Sequence, residues 1–318
     1  MPARSSTEFS RRKFLAAGSL TFAAACVTSN GLFAEEDHLV EDAFKEAATA
    51  KITVQTLRRN ITVLLGAGGN IAVLTGPDGK LLIDAEIITS RSNVSAALAS
   101  INADPIKQLI NSHWHFDHTG GNEWLHEAGA KILAQENTRA HLLKDTRVEG
   151  WHYTFPARPA SAIPSTVFKE DYTLHANDST LVLKHYPPAH TDSDISVHFT
   201  EADVLHCADT FWNRNYPFID YSTGGSIDGQ IRAAEANVAM ATDKMIVIPG
   251  HGPVGAKADL ILFRDVLVEI RDKVAALKKQ GRTLPEIIAA KPSARTDEEW
   301  GQSFMNPNRF LALVYQGV

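Results

Sequence analysis

His113-Trp114-His115-Phe116-Asp117-His118 sets four potential metal ligands within six residues of a chain that has 13 histidines among 318 residues. The run before it, Ile106-Lys107-Gln108-Leu109-Ile110-Asn111, reads as a short buried strand ending in polar residues. Gly120-Gly121 follows, with Asn122 in position to cap a helix over residues 123–128. The stretch therefore occupies a strand-to-helix turn. In extended chain His113 and His115 project to the same side. Asp117 and His118 fall in the turn, where the backbone can aim them at a second point nearby. This spread suits two neighbouring cations better than one.

The whole composition is that of an ordinary globular protein, 44% hydrophobic and 21% charged, with a formal net charge of −6. There is no long basic run, so binding to nucleic acid by counterion release is disfavoured. No repeat or low-complexity tract is visible. At the N-terminus, Ser10-Arg11-Arg12-Lys13-Phe14-Leu15 precedes an apolar run over residues 16–27, too short to span a bilayer comfortably. A charged start, an apolar middle and small residues make an export signal, and the arginine pair resembles a twin-arginine signal. Residues 1–34 are therefore expected to be removed and the mature protein to be periplasmic or exported, with no stable membrane span. Ala25 and Ala34 both end imperfect cleavage sites, and Cys26 allows a weaker lipoprotein reading. Only Cys26 and Cys207 occur, so no disulfide framework is expected.

Residues 35–50 are acidic and read as a linker or loose helix. Residues 52–57, 61–65, 70–75 and 81–84 read as short, successive and so antiparallel strands. Gly66-Ala67-Gly68-Gly69-Asn70 lacks the following helix and the lysine of a phosphate loop, so it is a hairpin turn that could border a substrate cleft. A helix near 92–99 leads to the histidine turn, and a helix to 128, a strand over 131–134 and a helix over 137–143 follow it. The pattern fails from 144 to 164, which holds Trp151-His152-Tyr153-Thr154-Phe155 and is either a lid or a packed surface excursion. Strands resume at 166–168, 172–175, 181–185, 195–199 and 204–207, then come a helix over 228–241, a strand over 245–248 and a long helix over 258–279. The tail from 281 to 318 is an extension whose Phe304, Phe310, Leu311, Leu313 and Tyr315 are expected to pack on the domain at 51–280. The order of elements predicts an α+β protein, two sheets packed together with helices outside, a four-layer αββα sandwich.

Three more strands lead to a ligand-type residue: one to His190, one to Asp209 and one to Pro249-Gly250-His251-Gly252. Strand ends meeting at one edge are a common way of building a site. Asp192 and Asp194 read as turn formers, and Thr119, Thr191 and Thr210 as partners that could orient ligands. Cys207 reads as a buried strand cysteine, although two-residue periodicity could bring its thiol to the metal side.

His113-Trp-His115-Phe-Asp117-His118, followed by His190, Asp209 and Pro-Gly-His251-Gly, resembles the metallo-β-lactamase superfamily over about residues 52–279. The resemblance implies one metal at His113, His115 and His190, a second at Asp117, His118 and His251, and Asp209 bridging both. It implies two zinc ions per chain, with a bridging hydroxide attacking an ester, thioester, lactone or lactam carbonyl of a small-molecule substrate. Imidazoles suit zinc, and a cation pair lowers the pKa of bound water. Asp117 would ligate the second metal and orient the nucleophile. Trp151, His152 and Tyr153 are candidate substrate-binding residues.

Familiar antibiotic-cleaving members carry Cys or Ser at the position of Asp209, so the aspartate looks more like glyoxalase II and lactonases. His115 stands where flavodiiron oxygen reductases have Glu. Export argues against glutathione-dependent roles. Alternatives are a true β-lactamase, a non-catalytic binding module, or a mononuclear iron dioxygenase resembling the persulfide dioxygenases, which use the positions of His113, His190 and Asp209.

Overall fold

The computed structural model describes residues 38–318. The expected export signal, its cleavage sites and Cys26 lie outside the described residues. The acidic stretch expected to be a linker or loose helix forms helix α1 (Leu39–Thr49), with Val40 and Ala47 buried.

The first sheet contains β1 (Thr53–Thr56), β2 (Ile61–Leu65), β3 (Ile71–Leu74), β4 (Lys80–Ile83), β5 (Ile106–Asn111), β6 (Lys131–Gln135) and β9 (Thr166–Phe168), in the order β1-β2-β3-β4-β5-β6-β9. The first four strands are antiparallel neighbours, as their close spacing predicts. From β4 onward the pairing is parallel, because helix α2 (Arg91–Ile101), short helices α3 (Phe116–Thr119) and α4 (Asn122–Glu127), and α5 (Glu136–Leu142) supply the crossovers. A small hairpin, β7 (Thr146–Val148) and β8 (Tyr153–Phe155), fills the segment where the sequence pattern fails. The second sheet is β10 (Tyr172–Ala176), β11 (Ser179–His185), β12 (Ile195–Phe199), β13 (Val204–Trp212), β14 (Ile246–His251) and β15 (Gly255–Ala256), antiparallel except where α6 (Ile227–Met240) carries β13 to a parallel β14.

Alternation along the strands explains the layering. Ala72 and Leu74 of β3, and Leu81 and Ile83 of β4, face the second sheet, where they meet Leu181, Leu183, Val197 and Phe199. Their neighbours Ile71, Val73 and Leu82 face the other way, against Val94 and Leu98 of α2 and Trp124 and Leu125 of α4. In the second sheet Val204 and Ile248 point inward, while Leu205, Cys207 and Val247 meet α6, α7 (Lys257–Lys279) and α10 (Pro307–Gly317). Strands apolar on both faces can be covered only by layers on both sides, so the chain is the expected αββα sandwich. Truncating a side chain between the sheets, as in Ile110→Ala, costs about 2–5 kcal/mol.

The tail adds α8 (Leu284–Ala290) and α9 (Asp297–Trp300) before α10, with Phe310, Leu311 and Leu313 buried and Tyr315 partly so. Phe304 departs from the expectation: it is 39% exposed, while its neighbour Met305 takes the buried place in the core. Asn122 also differs from its expected role. It is the first residue of α4 and makes no cap, since its amide exchanges hydrogen bonds with Asn111 (2.9 Å each way) and donates to the Ala162 carbonyl. A buried amide with a facing amide partner leaves the helix end to other groups. Among the described residues no helix is long and apolar enough to cross a membrane.

Candidate metal centre

The ends of both sheets meet at one edge. β5 delivers His113 through His118; the second sheet delivers Asp209 from β13, His251 from the end of β14, and His190 from the turn after β11. All seven expected ligands converge. His113, His115 and His190 offer nitrogens within 4.8 Å of one another; two imidazole nitrogens and a carboxylate oxygen come equally close in Asp117, His118 and His251, and again in His113, His118 and Asp209.

Contacts within the cluster identify the atoms that face its centre. His115 Nδ1 lies 2.9 Å from His190 Nε2. His118 Nε2 lies 3.4 Å from His251 Nε2, and His251 Nε2 lies 3.2 Å from Asp117 Oδ2. Asp209 stands between the two groups: its Oδ2 is 3.4 Å from both His190 Nε2 and His251 Nε2, and its Oδ1 is 3.1 Å from His118 Nε2 without an aligned hydrogen bond. Among the described residues the buried His113 Nε2 has no hydrogen-bond partner. Two nitrogens each about 2.05 Å from a tetrahedral zinc are about 3.3 Å apart, so these separations and the orphaned His113 nitrogen fit a pair of cations.

The outward-facing nitrogens are held from behind. Asp84 accepts from His118 Nδ1 at 2.8 Å and from both the backbone nitrogen and the hydroxyl of Ser112 at 2.7 Å. The Ser112 hydroxyl, having donated its proton to Asp84, can accept from His113 Nδ1 at 3.1 Å. Asp220 Oδ2 accepts from His115 Nε2 at 3.1 Å, and the Phe218 carbonyl from His190 Nδ1 at 2.8 Å. Each bond fixes the tautomer that leaves the inner nitrogen as a lone pair. The residues doing this were not legible in sequence: Asp84 and Asp220 are single carboxylates with no spacing motif. Of the expected orienting groups, Thr119 bonds to the Trp114 and His115 carbonyls, Thr191 to Asp194, and Thr210 to the Cys207 carbonyl. Asp194 is a turn former in the full sense, accepting from the backbone nitrogens of His190 and Thr191 at 2.7 and 2.9 Å.

Close packing leaves room for the ligands only because two neighbours lack side chains. A Cβ on Gly250 would sit 1.9 Å from Asp209 Oδ1, and one on Gly69 would sit 2.2 Å from His118 Cε1. The strand carrying Asp209 does not end at 207 as expected. It continues to Trp212 through a register shift at Ala208, whose φ is +46°, and this bulge re-aims Asp209 into the site. Asn70 ties the Gly66–Asn70 turn across to β14, its amide donating to the carbonyls of Pro249 and Gly252.

Without a cation, the site's charges hold one another. Burial works against charge on His118, but the carboxylates of Asp209, Asp117 and Asp84 raise its pKa well above the usual imidazole range. His251 likewise is pushed to about 9 by Asp209 and Asp117 against the effect of burial. Burial would raise Asp117 and Asp209, yet the imidazoles of His118 and His251 bring Asp117 down to about 2 and Asp209 well below the carboxylate range. His113 goes the other way, held neutral by burial and by its positive neighbour His118.

A cleft of about 840 Å³ opens over the cluster and includes Gly66, Gly68, Trp151 and Trp212 in its lining. Of the three candidate substrate residues, Trp151 reaches it, its ring 4.8 Å from that of His115. His152 and Tyr153 do not line it. His152 adopts a left-handed conformation (φ +49°) and lines a separate cavity of about 240 Å³ with Phe218 and Tyr221, and Tyr153 packs against Phe155 at 4.7 Å. A left-handed residue reverses the chain, so neighbours on either side of His152 do not point into one cleft. Cys207 is fully buried in the core between the second sheet and its helices, away from the ligands.

A sequence profile described as the metallo-beta-lactamase superfamily matches residues 60–253. A hydroxyacylglutathione hydrolase from Polaromonas sp. is 27% identical over 171 residues, 53% of this chain and 57% of that protein. One from Rhodospirillum rubrum is 25% identical over 147 residues, 46% and 48% of the two chains. The chain thus matches about half the length of these curated relatives. Among solved structures, a stereoselective inverting sec-alkylsulfatase from Pseudomonas sp. superposes with a TM-score of 0.62 at 18% identity over 90% of this chain and 54% of the other. A metallo-beta-lactamase from Pontibacter korlensis gives 0.55 at 16% identity, 68% and 99%. At these identities the structures speak for the fold.

Proposed function

The chain belongs to the metallo-beta-lactamase superfamily, and from that premise we propose that it is a binuclear zinc hydrolase, exported from the cytoplasm, that cleaves an ester, thioester, lactone or lactam of a small molecule. The observation that carries the reading is the convergence of seven ligand atoms in two groups joined by Asp209. The curated relatives, named as hydrolases of hydroxyacylglutathione, support acyl hydrolysis as the reaction class.

His113, His115 and His190 would hold one cation, Asp117, His118 and His251 the other, with Asp209 shared. Such a pair supplies an activated water and polarises the carbonyl oxygen. Asp84, Ser112, Asp220 and the Phe218 carbonyl keep the imidazole lone pairs aimed inward. Asp117, whose side chain is 14% exposed, would serve as a ligand of the second cation and keep the attacking water in orientation. Trp151 and Trp212 border the space for the acyl group and limit access of bulk water. A complete second set of ligands favours two metals over a mononuclear iron site, and Asp at 209 favours acyl substrates of the glyoxalase or lactonase kind over a dedicated β-lactamase. The export proposal rests on Arg11-Arg12 and the apolar run after them.

Elemental analysis and a substrate panel test this together. Zinc near two equivalents per chain, with hydrolysis lost on chelation and restored by zinc, is the expected result. Full hydrolysis by rigorously metal-free protein, or one equivalent of iron with oxygen uptake, refutes it. Fractionation of cells carrying the full chain, compared with an Arg11→Lys/Arg12→Lys variant, tests the location.

A further inference from the structure

The cleft is far larger than the metal cluster needs. Its volume of about 840 Å³ is in the range that encloses a drug-sized ligand. Two of its walls come from segments outside residues 60–253, the part that matches the superfamily profile. On one side α1 presents Leu39, Val40 and Ala43. Leu39 and Ala43 are four apart and so share a helix face. On another side stands Phe304, the large aromatic 39% exposed just before α10, with its ring 6.1 Å from that of Trp212.

The α1 wall is fixed rather than loose. Phe44 packs edge-on against Phe116 at 5.4 Å, Thr89 Oγ1 donates to the Phe44 carbonyl at 2.7 Å, and Asn93 donates to the Ala50 carbonyl at 2.9 Å. Apart from the metal ligands, the charged residues lining the cleft are Asp42, Glu46 and Arg309. Asp42 pairs with Lys45 at 2.7 Å, and the Arg309 guanidinium donates to the Phe304 carbonyl at 2.7 Å. A cleft that sets Leu39, Val40, Ala43, Trp212 and Phe304 beside a polar cluster is suited to a molecule that is apolar at one end and hydrolysable at the other.

We propose that α1 and Phe304 form the specificity subsite of this enzyme, and that its substrate is an acyl compound with an extended hydrocarbon or aryl body lying between them. The subsite rests on the hydrolase reading for its chemistry, but its binding can be measured alone.

Two series on the zinc-loaded full chain test it. In the first, p-nitrophenyl esters from acetyl to decanoyl are compared by kcat/KM. In the second, straight-chain carboxylates from acetate to decanoate are titrated by tryptophan fluorescence, Trp151 and Trp212 being the reporters in the cleft. Both are expected to improve roughly fourfold for each methylene that is buried. Leu39→Ser and Phe304→Ser are each expected to lower the octanoyl-to-acetyl ratio at least tenfold, a ratio that a general loss of folded enzyme does not move. A flat carboxylate series, or wild-type ratios in both variants, overturns the proposal. Ester hydrolysis without chain-length dependence overturns the subsite and leaves the hydrolase reading standing. A steep carboxylate series with no hydrolysis of any ester, thioester, lactone or lactam in the panel does the reverse.

Discussion

Asp84→Asn changes one atom at a position that touches no metal, and its consequence follows from three hydrogen bonds. Asp84 is fully buried and accepts from the Ser112 backbone nitrogen and hydroxyl and from His118 Nδ1. An asparagine has one accepting oxygen. The Ser112 backbone N–H, which can only donate, claims it, and the amide NH2 is left facing His118 Nδ1 and the Ser112 hydroxyl. His118 is then driven to accept at Nδ1 and carry its proton on Nε2, the nitrogen that should face the cation. Loss of an orienting partner of this type weakens metal binding about 10- to 100-fold, or about 1.4–2.8 kcal/mol. The larger effect should fall on the equivalent held by His118; a smaller one reaches the other through the Ser112 hydroxyl and His113, while His115 and His190 keep Asp220 and the Phe218 carbonyl as partners. Competition against a chromophoric zinc chelator resolves the two affinities, and circular dichroism of the metal-free variant confirms folding. Asp220→Asn should weaken the other equivalent. The reasoning fails if Asp84→Asn leaves both affinities within threefold of wild type, or lowers both equally.

Gly250→Ala should abolish zinc binding at both positions while the sheets still form, because the added methyl displaces Asp209, which both groups share; metal content against the circular dichroism spectrum checks it. Asp117→Asn should weaken the second equivalent of zinc and lower activity by at least the roughly 10- to 100-fold that an orienting partner is worth, as elemental analysis beside steady-state kinetics on the best panel substrate would show. Zinc uptake should release protons. In the metal-free protein His118 and His251 are held protonated at neutral pH, with His251 at about 9, so binding at pH 7 should expel about two protons per chain and fewer as pH rises past 9. Apparent affinity should therefore climb with pH over that range. Calorimetry in buffers of different ionisation enthalpy measures the release, and none at pH 7 would contradict the charge pattern.

The convergence of the candidate ligands was legible because their spacing is local: three histidines and an aspartate around one turn, and single residues placed where strands run out. The layering was legible because strands apolar on both faces leave few architectures. Other features carried no such signal. Asp84 and Asp220 act through side chains 34 and 105 residues from the histidines they hold, and neither sits in a motif. The bulge at Ala208 is a backbone event on a non-glycine residue, so composition does not announce it. Asn122 was read as a cap from its position alone, whereas its facing partner Asn111 decides its role. His152 and Tyr153 were grouped with Trp151 by adjacency, and a single left-handed residue separates them. The contribution of α1 and Phe304 to the cleft joins segments more than 250 positions apart, beyond the reach of any periodicity.

Four ligands hang from the edge of the first sheet and three from the second, and those sheets are successive halves of the chain. Cations bound there would act as rivets between two leaves that are otherwise joined by apolar packing, by hydrogen bonds such as those from Asn70 to Pro249 and Gly252, and by a short turn near residue 170. Occupancy and melting temperature must then rise together, with stability gaining about 2.7 kcal/mol per site at a hundred times the dissociation constant. A cell starved of metal would hold not merely an idle catalyst but a floppier one, and proteases would sense the shortage first.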